Sequence, residues 1–64
     1  MSERFTLTID MGNAAFADEP ATELARILRQ VTQNLADRDL PAAGHRHPLG
    51  DANGNRVGSY IITN

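Results

Sequence analysis

Sixty-four residues without a cysteine make one small domain, residues 1–64, that has no disulfide and no thiolate metal site to staple it. All six basic residues are Arg and eight acids outnumber them, so the formal charge of −2 does not announce a nucleic-acid binder. No apolar run reaches the length of a membrane span or a signal-peptide core, and a soluble, cytoplasmic chain is expected.

From Arg4 to Met11 the residues alternate, with Phe5, Leu7, Ile9 and Met11 on one side and Arg4, Thr6, Thr8 and Asp10 on the other. That period of two predicts a half-buried strand. Gly12-Asn13 tolerates positive φ and turns the chain. Phe16 is expected to pack back on the first turn of a following helix, as an aromatic just ahead of a helix commonly does. Pro20 suits the first helical position, and Asp18 or Glu19 is placed to accept from the free backbone amides. Leu24, Ile27, Leu28, Val31 and Leu35 then recur at helical spacing as one apolar stripe, from which Glu23, Arg26, Gln30, Gln33 and Asp37 fall away. Pro41 and Gly44 predict an end to the helix near Asp37 to Asp39.

Pro48 in "HRHPLG" lacks an amide donor, so a short strand there must lie at a sheet edge or be bulged. "NRVGSYIIT" is the better strand, rich in residues that suit a pleated surface. Asn53-Gly54 between the two predicts a type I′ hairpin turn, with Asp51 and Asn55 bonded to loop amides as Asx-type turns. The expected fold is therefore α+β: a small βαββ domain with a three-stranded antiparallel sheet, order 1-3-2, and one helix packed on one face. Unbroken alternation puts Val57, Ser59 and Ile61 on one face of the last strand and Arg56, Gly58, Tyr60 and Ile62 on the other. Either way the open sheet face is expected to keep at least two large apolar side chains, a surface suited to a homodimer or another protein.

Residues that carry chemistry are few. Asp51, Asn53 and Asn55 match the first three ligand positions of a calcium loop, but Arg56 and Ile62 stand where that loop needs Gly and Glu. Gly50, Gly54 and Gly58 fit neither phosphate-binding glycine pattern. His45 and His47 would share a side of an extended segment, yet without Cys and with one such pair they read as loop histidines. Ser59 lies in a strand with no base assigned to it. No enzyme, metal or cofactor is expected. For nucleic acid, Arg26 and Arg29 share the polar side of the helix, and Arg4, Arg46 and Arg56 come from segments that converge on the sheet. Glu23, Asp37 and Asp39 beside them favour salt-bridged, solvated charge.

Taken together, "NAAF" (Asn13 to Phe16), "ELARILRQV" (Glu23 to Val31) and "DANGNRVG" (Asp51 to Gly58) resemble a set of short uncharacterised proteins of phages, prophages and their GC-rich bacterial hosts. The resemblance runs through nearly the whole chain. It implies a βαββ protein of mobile-element origin and carries no catalytic residue over. The expectation is a non-catalytic, protein-binding accessory factor, such as a stoichiometric inhibitor of a host restriction or CRISPR system. Its expected partner-binding residues are Thr6, Thr8, Tyr60 and Ile62 on the outer sheet face, with Arg26 and Gln30 on the helix. The alternative is a small nucleic-acid-binding module using Arg26, Arg29 and the sheet-face arginines.

Overall fold

The alternating N-terminal segment forms β1 (Arg4–Ile9) in a computed structural model that describes residues 2–64. A 3₁₀ turn (Ala14–Phe16) follows, capped by the Asn13 side chain, which accepts from the Ala15 amide at 3.1 Å. Helix α1 runs Pro20–Arg38, and β2 (Arg46–Gly50) and β3 (Arg56–Thr63) complete the chain. The three strands form one antiparallel sheet in the order β1-β3-β2. This is the expected α+β fold.

Pro20 opens α1 as its fixed φ and missing N–H allow. Glu19 occupies the cap position but makes no side-chain cap bond; its Oε1 instead accepts from the Thr22 hydroxyl at 3.5 Å. At the other end Asp39 takes φ 64, and its N–H closes the last turn on the Leu35 carbonyl.

One side of α1 packs on one side of the sheet. Phe16, Ile27, Val31, Leu49, Val57 and Tyr60 form the buried cluster, with Leu7, Ile9, Ala15 and Leu35 partly buried around it. Ile27 and Leu49 are fully enclosed. The helix stripe is wider than the sheet beneath it can cover. Leu28, expected in the core, sits about 100° around the helix from Ile27 and is 41% exposed. Phe5, also expected inside, lies near the end of an edge strand and is 43% exposed. In their place Glu23 is buried, on the line of Ile27 and Val31.

The largest departure from the sequence reading lies in β3. Leu49 stands opposite Gly58, but Gly50 stands opposite Arg56, so Val57 has no counterpart on β2 and forms a bulge. The extra residue shifts the alternation by one. Val57 joins Tyr60 and Ile62 against the helix, while Arg56 turns to the face that carries Ser59 and Ile61. Tyr60 and Ile62, expected on the outer face, are therefore core residues, 2% and 5% exposed. Tyr60 lies between the rings of Phe5, at 5.5 Å, and His47, at 4.8 Å.

The hairpin turn also differs from expectation. Asn53 does not take positive φ; Gly54 alone does, at 85°. The connection is a turn closed by the Gly54 N–H on the Asp51 carbonyl, followed by glycine in the left-handed region, and the Asp51 N–H bonds to the Asn55 carbonyl. Gly54 has the conformational freedom that this step requires.

Candidate functional site

Two polar assemblies stand out, and only one is open to a partner. The first is the hairpin tip, where the oxygen-bearing residues of "DANGN" do their work internally. Asp51 is buried, and its carboxylate accepts from the Asn53 and Asn55 amides at 2.9 and 2.8 Å and from the Asn13 side chain at 2.6 Å. An Asx-type arrangement was legible in the sequence; the bond to Asn13, across 38 residues, was not. The alternation that resembles calcium ligation thus serves as an acceptor surrounded by N–H donors.

Helix α1 grips the same tip. Glu23 Oε2 accepts from the Ala52 amide at 2.8 Å, and Arg26 donates through two nitrogens to the Glu23 carboxylate, at 2.9 and 3.0 Å. Arg26 also donates to the Gly50 carbonyl at 3.1 Å. Arg26, expected at a partner-binding surface, is consequently a clamp between helix and hairpin. A planar guanidinium suits this task, because its fork fits a carboxylate and still has a donor for a carbonyl. Gln30, named for the same surface, is exposed on the helix.

The cluster shifts the acids it contains. Hydrogen bonds from Arg26 hold the Glu23 carboxyl below its ordinary value, against the opposing effect of burial. For Asp51, burial pushes upward, but the donors of Asn55, Asn13 and Asn53 outweigh it and the net displacement is downward. Folded chains therefore bind fewer protons than unfolded ones in the acid range. The cluster's contribution is complete above the unfolded carboxylate pKa of about 4 and is lost as pH falls through the lowered native values. Thermal melts taken from neutral pH downward should stay level to about pH 5 and then drop. Asp51→Asn should flatten that drop; a slope unchanged by the substitution would move the acid sensitivity elsewhere.

The second assembly is the sheet face away from the helix. Cross-strand pairing puts Thr6, Ile61 and Arg46 in one row and Thr8, Ser59 and Pro48 in the next, with Arg4 beside Thr63 and Arg56 beside Gly50. Thr6 and Thr8 are exposed there, as expected. Arg46 donates to the Ser59 hydroxyl at 3.1 Å. A shallow cleft of about 370 Å³ is lined by Arg46 and Arg56 together with Asp10, Pro48 and Ser59. Arg56 reaches it only because of the bulge at Val57. The charge balance of this face differs from that of the whole chain, since Glu23 and Asp51 are buried at the opposite side of the sheet.

His45 precedes β2 and is exposed, whereas His47 lies on the helix side, where Asn34 Nδ2 approaches its Nε2 at 3.2 Å. The two histidines do not converge, and among the described residues no group of three His, Cys, Asp or Glu side chains gathers as a metal site would. No helix among the described residues is long and apolar enough to cross a membrane. No protein-family model, curated protein or solved structure matches the chain.

Proposed function

We propose that the protein is a non-catalytic binding factor that uses the open face of its sheet to engage an acidic surface on another protein. The observation that carries this reading is the placement of Arg46 and Arg56 around one cleft with Ser59, where they outnumber the single carboxylate of Asp10, on the face that also carries Thr6 and Thr8. Arginine forks amid short hydroxyl side chains form a donor-rich surface that complements carboxylates. The cleft is too open to exclude water from a reaction, which favours binding over catalysis.

The resemblance to phage and prophage proteins supports a mobile-element setting. In that setting a stoichiometric inhibitor of a host restriction or CRISPR system is a task such a surface suits. Self-association through the open face has lost its basis, because Ile61 is the one large aliphatic side chain the bulge leaves there.

The same arginines favour a second reading, contact with nucleic-acid phosphates. Against it, Phe5, Tyr60 and His47 all lie on the helix side, so the open face offers no ring on which a base can stack. Arg26 is also engaged with Glu23 and Gly50.

Arg46→Ala combined with Arg56→Ala should abolish capture of a discrete protein partner without changing the melt, while Arg29→Ala on the exposed helix should leave capture intact. Capture that survives the double substitution overturns the open-face reading. Retention on DNA or RNA that falls steeply with salt, and is lost in the double variant, favours the nucleic-acid reading instead.

A further inference from the structure

The two edges of the sheet differ. β2 carries Pro48, which offers no N–H to an added strand and so protects that edge. β1 has no proline, lysine or bulge, and pairs only with β3. The Asp10 N–H bonds to Val57 O on β3, so by strand alternation the backbone groups of the even-numbered β1 residues point toward β3. Those of Phe5, Leu7 and Ile9 point to the unpaired edge.

The segment along this edge, RFTLTID (Arg4 to Asp10), is symmetric in residue class about Leu7, with threonine answering threonine and apolar Phe5 answering Ile9, and it ends in opposite charges at Arg4 and Asp10. We infer that β1 pairs with β1 of a second copy, antiparallel about a twofold axis at Leu7. Residues directly opposite would be Leu7 with Leu7, Thr6 with Thr8, Phe5 with Ile9 and Arg4 with Asp10. Phe5, Leu7 and Ile9 on each strand then face outward-pointing backbone groups of the other. Flanking the central Leu7 pair, the other side-chain pairs are of kinds that stabilise antiparallel sheets: aromatic with β-branched, threonine with threonine, cation with anion. A register displaced by two residues keeps the backbone pairing but sacrifices the charge pairs at both ends. Among the described residues the only ion pair within the chain is Glu23 with Arg26; Arg4 has no ion-pair partner, and Asp10, whose Oδ1 accepts from the Gly12 amide at 3.1 Å, keeps its second oxygen for a partner cation.

The helix flank supports the same occupant. Glu23, Arg26 and Asn34 contact the hairpin and β2, so the opposite flank of α1, with Leu24, Leu28 and Leu35, lies on the side of β1. Leu28 and Phe5 are exposed on that side, and Met11, just beyond β1, is exposed as well. Strand addition at β1 brings a second, identical apolar flank toward them. The contact is isologous and closes at two copies, leaving Arg46 and Arg56 uncovered. It does not depend on the open-face reading.

Sedimentation or light scattering of the intact chain should show a mass rising with concentration toward twice 7.0 kDa. Arg4→Asp alone or Asp10→Arg alone sets like charges opposite each other at both ends, and should raise the dissociation constant ~10-fold or more. Carrying both substitutions in one chain restores the pairs and the dimer. Mixing the two single variants should yield a heterodimer, since each supplies the charge the other lacks. Unchanged circular dichroism in all variants excludes a folding cause. A wild-type chain that stays monomeric overturns the proposal, and so does a dimer indifferent to both swaps and to mixing.

Discussion

Gly58→Ala is expected to leave a chain without a cooperative melt. Gly58 stands between Ile9 of β1 and Leu49 of β2, next to the bulge. A β-carbon built there would overlap the Thr8 carbonyl oxygen and lie 3.0 Å from the Ile9 α-carbon. These are backbone atoms of a paired strand, so no rotamer change relieves the contact; β1 must separate from β3. Overpacking commonly costs about 1–3 kcal/mol and more where backbone must move, while a core this small supplies about 3–5 kcal/mol in all. Gly54→Ala provides the contrast. Its added methyl group meets nothing within 4 Å, although φ is 85°, and the cost should be about 1 kcal/mol from backbone conformation alone. Urea unfolding followed by circular dichroism separates the cases. A Gly58→Ala midpoint close to that of Gly54→Ala would show that the strands can part cheaply.

Ile27→Ala should be as damaging for a different reason. Ile27 is fully enclosed among Val31, Leu49, Val57 and Tyr60, and truncation of such a side chain costs about 2–5 kcal/mol through lost burial and the cavity left behind. That spans the whole expected stability of the domain. Leu28→Ala, the adjacent change, should cost no more than about 1 kcal/mol, because Leu28 already meets solvent. The same melts rank the two. A Leu28 variant more damaged than the Ile27 variant would mean that α1 sits rotated from the position described.

The contrast shows what local pattern conveys. Alternation from Phe5 to Ile9, Pro20 at the start of α1 and Pro41 after its end are short-range signals, and the elements and their 1-3-2 order follow from them. Helical spacing identified a stripe of Leu24, Ile27, Leu28, Val31 and Leu35 but not which part of it would meet the sheet; the narrow sheet decides that. Glu23 was set aside as polar, although a carboxylate can be buried when Arg26 and the Ala52 amide satisfy it.

The candidate site was only half legible for a related reason. Thr6 and Thr8 belong to an unbroken strand, so their outward direction could be counted from Phe5. Tyr60, Ile62 and Arg56 lie on a strand whose count is interrupted at Val57. Gly58 inside the strand and Pro48 on the neighbouring one are compatible with such an interruption but do not fix its place, which is settled by how β3 meets β2. One uncounted residue parted Arg56 from Tyr60 and Ile62, leaving the arginine on the open face while the other two turned to the helix, and so moved the proposed contact surface from tyrosine to arginine.

The clamp formed by Glu23 and Arg26 has a consequence for the order in which the chain acquires structure. Its bonds to Gly50 and Ala52 bridge 24 and 29 residues, so they form only once the helix has docked and the hairpin has closed. Until then the Gly50 carbonyl and the Ala52 N–H of the hairpin, and the groups of Glu23 and Arg26 that meet them, are paired with water, so each event favours the other. Sequence-local hairpin formation, ordinarily among the fastest steps of folding, is here tied to a slower long-range encounter. The surface loop thus links the hairpin to the helix, so that loosening one weakens the hold on the other.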